Sequence, residues 1–203
     1  MDNMTLVLLV VAAIILPICG LVIGLVVVIG ALGRRNASQV DDLKTRWAAI
    51  AQTDGLTFNA GTALQDPSLT GTIDGLTVTL TLTRYHMGSS GMSHPYTVAW
   101  VPVAVAGECW IADRKRSHHV AGVSGPEVVI PDPGLAASHV ARGNPERLAR
   151  LLAPELTTRL SQNAITHVRL GQMRLQVQRA GHQMSREECL ALMQLAADLA
   201  HRL

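Results

Sequence analysis

Charged positions are absent from one long stretch of this chain and frequent after it. From Thr5 to Leu32 the sequence reads TLVLLVVAAIILPICGLVIGLVVVIGAL, with no Asp, Glu, Lys, Arg or His. A helix of that length reaches about 42 Å. The hydrocarbon core of a bilayer needs only about 20 such residues. A soluble core helix would show a polar stripe, and this run is apolar on every face. The pattern predicts a tail over 1–4, one transmembrane helix over 5–32, a short linker over 33–37 (GRRNA) and a soluble domain over 38–203.

Three other readings of the run fit less well. A cleaved secretory signal carries a basic start, a shorter apolar stretch and a small-residue cleavage site, whereas the first residues here are MDNM. A lipobox ending at Cys19 would have a small residue at Ile18 and would not be followed by thirteen more apolar positions. A hairpin bent at Pro17 would leave each arm too short to cross. Orientation follows from the flanks: Asp2 before the run, Arg34, Arg35, Lys44 and Arg46 after it. The positive-inside rule places the N-terminus outside and the domain in the cytoplasm, at the inner membrane. Within the span, Gly20 and Gly24 form GxxxG, the spacing for close packing of two membrane helices and a route to homo-oligomers. Glycine is also common in membrane helices generally.

The periodicity after residue 38 alternates between helical and extended. Ser38 is placed to cap a helix to about Thr53, with Val40, Leu43, Trp47, Ile50 and Ala51 on one face. Leu56–Phe58 reads as a short strand. Asp66-Pro67 and Asp74-Gly75 read as turns. Leu76–Tyr85, LTVTLTLTRY, alternates strictly, with the threonines on a solvated side. Such a threonine ladder also suits ice or carbohydrate binding. His86–His94 reads as a loop whose two histidines lack a third metal ligand. Pro95–Ala106 reads as a strand in which Pro102 implies an edge position or a bulge. CWIAD (109–113) and EVVI (127–130) read as further strands, the latter closed by Pro131-Asp132-Pro133-Gly134. Ser138–Ala141 reads as a short strand or turn.

Asn144-Pro145 is a helix start, and Pro154 splits that helix from a second, short one over Glu155–Ser161. Ile165–Leu170 and Met173–Arg179 form a hairpin turned at Gly171-Gln172. Val168, Leu170, Met173, Leu175 and Val177 face inward there; His167, Arg169, Arg174, Gln176 and Gln178 face outward. Ser185 and Glu188 make a capping box for a last helix to about Arg202. This order predicts an α+β domain: a mainly antiparallel sheet packed by an N-terminal helix, a short helix pair and a C-terminal helix.

Composition narrows the function classes. The 203 residues carry a net charge of +2, with three Cys and only one Phe, two Tyr and three Trp. So few aromatics count against single-stranded nucleic-acid binding. Sparse cysteines without CxxC exclude a disulfide framework or a zinc site and suit a reducing cytoplasm. Arg114, Lys115 and Arg116 form the dense basic cluster and are candidates for phosphate or anionic-lipid contact, each worth roughly 1 kcal/mol near a charged leaflet. Eight arginines lie between Arg142 and Arg186, against Glu146 and Glu155; dipole and ion-pair duties also account for them. Nucleotide, hydrolase and metalloprotease motifs are absent. His118 and His119 beside Asp113 are the local candidates for acid–base work, but adjacent strand residues point to opposite faces.

The order of elements, with the runs Leu69–Gly75 and Arg147–Leu156 (RLARLLAPEL), resembles bacterial single-pass membrane-anchored proteins grouped as domains of unknown function. The resemblance implies an inner-membrane accessory protein and carries over no catalytic residue. The expectation is a non-catalytic membrane-anchored protein-binding or assembly subunit, in contact with lipid and a protein partner, with no cofactor, metal or nucleic acid. The alternatives are an anionic lipid- or ligand-binding module and a hydrolase using His118 or His119.

Overall fold

A computed structural model describes residues 40–62, 65–87, 92–105, 107–115, 125–182 and 184–203, with the backbone alone over 84–87 and 92–94. The expected membrane helix, with Gly20 and Gly24, lies outside the described residues, as do Arg116, His118 and His119. Among the described residues no helix is long and apolar enough to cross a membrane. The chain divides into two units at 45/46. Of the first, residues 40–45 are described; they begin helix α1 (40–54), with Leu43 buried and the Thr45 hydroxyl donating to the Asp41 carbonyl.

The second unit is an α+β fold with one large antiparallel sheet. Its strands are β1 (Thr57–Asn59), β2 (Ser68–Ile73), β3 (Leu76–Met87), β4 (Met92–Pro102), β5 (Cys109–Asp113), β6 (Glu127–Val128), β7 (His139–Gly143), β8 (Ile165–Gly171) and β9 (Arg174–Ala180). Their order is β1-β2-β3-β4-β9-β8-β5-β7-β6. The helices are α2 (Pro133–Ser138), α3 (Pro145–Leu151), α4 (Pro154–Gln162) and α5 (Arg186–His201). Helix α5 packs on β3, β4 and β9, α3 on β5 and β7, and α4 on β8.

Register explains which face the helices cover. One row runs Phe58, Leu69, Leu80, Ala99, Val177, Val168, Ile111, Ala141, Val128, each residue opposite the next. Every member is apolar, and all but the two edge residues are buried. Alternation at period two gives the sheet one continuous apolar face. Burying each of the Leu, Ile and Val side chains inside this row stabilises by about 1.5–3 kcal/mol.

Local chemistry sets the element ends. Asn144 and Asp132 accept from the third backbone N–H of α3 and α2, with Pro at the first helical position of each. Ser185 and Glu188 complete the capping box on α5, and Glu188 also meets Arg179 at 2.6 Å. Hydrogen bonding from the Ser185 backbone N–H, then from Arg179, holds the Glu188 carboxyl below its ordinary 4.5. A lowered pKa contributes stability above the ordinary value, and that stability is lost as pH falls through the lowered one. Ser185→Ala should cost about 1 kcal/mol in urea unfolding. Glu188→Gln should flatten the fall of melting temperature below pH 4.5.

Several expectations need correction. The stretch 68–73 is a strand, where the sequence marks only its flanking turns. The chain 86–94 is not a simple loop, since β3 reaches Met87 and β4 starts at Met92. Pro102 marks neither a bulge nor an edge strand, since β4 lies between β3 and β9, but the pairing with β3 stops at Trp100, so Pro102, the last residue of β4, has only β9 beside it. Pro133 opens a short helix rather than only a turn, and β7 follows it. The β8–β9 turn sits one residue later than expected, on Gln172 and Met173, both at positive φ (53° and 55°). Met173 therefore leaves the inward side and is 65% exposed. His167 and Gln178 do lie off the apolar face, but both are buried rather than solvated.

Candidate functional site

The row beside the apolar one lies on the opposite face and reads Thr57, Thr70, Thr79, Trp100, Gln176, Arg169, Trp110, Arg142, Glu127. It contains no aliphatic residue. Hydroxyls occupy one end and arginines the other; Trp100 borders the hydroxyls, and Trp110 stands between Arg169 and Arg142. Trp100 is half-buried; Trp110 is 5% exposed, with Arg169 opposite on one strand and Arg142 on the other. The Arg174 guanidinium lies over the Trp100 ring, 5.5 Å from its centroid, a cation–π contact worth about 0.5–1 kcal/mol at an exposed site. Beside this row, Tyr96 meets His167 edge-on with ring centroids 6.4 Å apart.

Two concavities bear on function. A shallow one of about 320 Å³ sits at the hydroxyl end, lined by Asn59, Gln65, Asp66, Ser68, Thr79, Thr81, Leu82 and Trp100. A larger one of about 500 Å³ is lined by Arg46, Ala49, Ile50, Thr53, Met184, Ser185 and Arg186. It adjoins the N-terminus of α5, where an anion would be favoured. The protein's own acids already serve there. Arg186 grips Asp54, with Nε 2.8 Å from Oδ2, and holds that carboxyl below its ordinary range. The Glu188 side chain takes the Ser185 N–H at 2.8 Å.

The sequence candidates fare unevenly. Arg114 donates from Nε to the Ala136 carbonyl at 3.2 Å, fastening the end of β5 to α2. The Lys115 backbone N–H donates to Asp113 Oδ1 at 2.8 Å. Of the eight arginines from Arg142 to Arg186, five meet carboxylates: Glu127, Asp198, Glu108, Glu188 and Asp54. The basic half is therefore largely paired within the fold. His86 and His94 are not register partners, since His86 stands opposite Ser93 and His94 opposite Tyr85. No group of three or more His, Cys, Asp or Glu among the described residues could hold a metal. Burial pushes the Cys109 and Cys189 thiols up to about 11, so neither is a ready nucleophile near neutral pH. Sequence reasoning misses Trp100 and the Asn59, Gln65 and Asp66 wall. The strict alternation of β3 is a partial signal for them, but the register that sets Trp100 opposite Thr79 is a long-range property.

No protein-family model matches the chain, and no curated protein matches it. Among solved structures it is similar to the crystal structure of the mycobacterial trehalose monomycolate transport factor A, TtfA. The likeness has 13% identity and a TM-score of 0.50, and covers 79% of this chain and 96% of that one. It supports the α+β architecture with its large antiparallel sheet.

Proposed function

We propose that the chain is a non-catalytic, membrane-anchored binding subunit. Residues 5–32 hold it in the inner membrane as one span, N-terminus outside, and the α+β domain docks a protein partner on the cytoplasmic side. The observation that carries this reading is the division of the sheet into an apolar face and a face whose central row leaves Trp100, Gln176 and Arg169 partly exposed. Tryptophan, arginine and methionine are the residues enriched in protein interfaces. Met173 projects from the β8–β9 turn next to Arg174, and its carbonyl is fastened by the Val103 N–H at 3.0 Å. Two adjacent non-glycine residues at positive φ cost of order 1–3 kcal/mol each, a strain that fits a displayed tip better than a buried one.

The anionic-ligand alternative draws on Arg114 to Arg116 and the basic second half; the bond from Arg114 to Ala136 and the five ion pairs weigh against it. The hydrolase alternative draws on His118 and His119 beside Asp113, and the two histidines lie outside the described residues. TtfA is by name a transport factor, and a transport assembly is one setting for such a subunit; the fold likeness leaves the partner to experiment.

A photo-crosslinker at Gln176 of the full-length chain in native membranes tests the docking face. A discrete protein adduct is expected there and not from a probe at exposed Glu146 on α3. No adduct from Gln176, or the same adducts from both positions, would refute it.

A further inference from the structure

We propose that the hydroxyl end of the polar sheet face is a saccharide site that seats a pyranose ring against Trp100. The concavity there, about 320 Å³, falls at the small end of the roughly 300–1,000 Å³ typical of small-ligand sites. Its floor is formed by facing strands: Ser68 stands opposite Thr81, and Thr79 opposite Trp100. Its outer wall carries Asn59, Gln65 and Asp66.

That wall is fastened in place. Asn59 Oδ1 accepts from the Gly61 N–H at 2.9 Å, and the Thr62 N–H donates to the Gln65 carbonyl at 2.9 Å. The Thr81 hydroxyl donates to the Pro67 carbonyl at 3.2 Å. Gly61 has φ +71°, and a Cβ there would lie 2.2 Å from the Gln65 carbonyl oxygen. Only glycine lets the chain close this tightly. The fastening leaves the Asn59 amide hydrogens, the Gln65 carboxamide and the Asp66 carboxylate as groups of a pre-formed wall.

The chemistry of the lining selects the ligand. A sugar ring presents adjacent hydroxyls, each both donor and acceptor, and a face of polarised C–H bonds. The site offers two carboxamides, a carboxylate and several hydroxyls, which together both donate and accept. It also offers an indole, whose electron-rich face attracts such C–H bonds. Trp47 and Trp110 are 0% and 5% exposed, whereas Trp100 is half-buried; Arg174 stacks over the ring from outside the concavity, so the sugar meets the part of the indole that lines it. Other ligand classes fit worse. The one charged residue among those lining the concavity is Asp66, which repels phosphate and sulfate, and the nearby Arg174 guanidinium is taken up by the Trp100 ring. An apolar ligand would strand the wall's polar groups without partners.

The test uses the full chain in nanodiscs, followed by tryptophan emission. Methyl α-D-glucopyranoside and maltose are the probes, and sorbitol, with hydroxyls but no ring, is the control. A saturable change with the two sugars and none with sorbitol is expected. Gln65 and Asp66 are exposed, so Gln65→Ala and Asp66→Ala should fold; each should raise the half-saturating concentration about tenfold, the loss of one hydrogen bond to a charged or well-placed group. A maltose-headed lipid in the nanodisc separates the sources: response to free maltose marks a soluble saccharide, and response to the lipid alone marks a membrane-borne headgroup. Silence toward both, an equal response to sorbitol, or unchanged half-saturation in both variants would overturn the site. This readout is independent of the crosslink at Gln176, so either reading can fail alone.

Discussion

Trp47→Ala is expected to remove about 3–5 kcal/mol of stability, as deletion of a large buried aromatic does. Trp47 is 0% exposed and heads the largest fully buried side chains. Its indole lies beside the Cys189 thiol on α5, and the buried indole N–H has no hydrogen-bond partner there. Removing the ring would leave a cavity at this packing point and loosen α1 from α5. Urea unfolding of the full-length chain in nanodiscs, followed by emission from Trp100 and Trp110, measures the loss. A loss within about 0.5 kcal/mol, the range of surface substitutions, would contradict the burial of Trp47.

Gly143→Ala should cost about 3 kcal/mol or more, by a different cause. Gly143 ends β7 at φ +121°, opposite Cys109. A Cβ there would lie 2.5 Å from the Glu108 carbonyl oxygen and 2.5 Å from Cys109 Cβ. The backbone cannot retreat easily, because the Gly143 N–H donates to the Pro126 carbonyl at 3.1 Å. Strain at positive φ of order 1–3 kcal/mol therefore adds to overpacking of about 1–3 kcal/mol. Gly55→Ala is the control: its φ is +66°, but nothing lies within 4 Å of the added carbon. The same urea series should show Gly55→Ala losing much less. Equal losses would mean that conformation alone, and not the close approach of β5 to the end of β7, demands glycine at 143.

Elements with strong local signals are legible in the sequence itself. The capping box at Ser185, the Asn144-Pro145 start and the alternation of β3 each depend on residues a few positions apart, and each stands where its signal places it. Strand β2 is not legible, because SLTGTI holds only two apolar residues and a central glycine. Gly71 makes a long-range contact that the local pattern does not show: a Cβ there would lie 2.2 Å from the tip of the Leu56 side chain, which would have to move aside. Helix α2 carries the same Asp-Pro start signal as α3 carries with Asn-Pro, but its six residues include Gly134 and show no periodic face. Glycine at 171 points to a turn one residue too early, since glycine is the ordinary resident of such turns, whereas the register sets Gly171 opposite Arg174.

The candidate site is less legible than the fold. Trp100 becomes informative only once β4 is registered against β3, which brings it opposite Thr79 and near a wall some 35–40 residues earlier in the chain. Likewise the arginines look like one basic surface in sequence order. Their partners Glu108, Glu127, Asp54 and Asp198 come from distant segments, so the pairing is a property of the fold.

The proposed function depends on residues 5–32 holding the chain in a bilayer. Alkaline carbonate extraction of membranes from cells expressing the full-length chain measures this directly. The chain should stay in the pellet at full length, while a version lacking 5–32 should move to the supernatant. Recovery of the intact, unclipped chain in the supernatant would contradict the anchor, and with it a binding subunit held at the membrane.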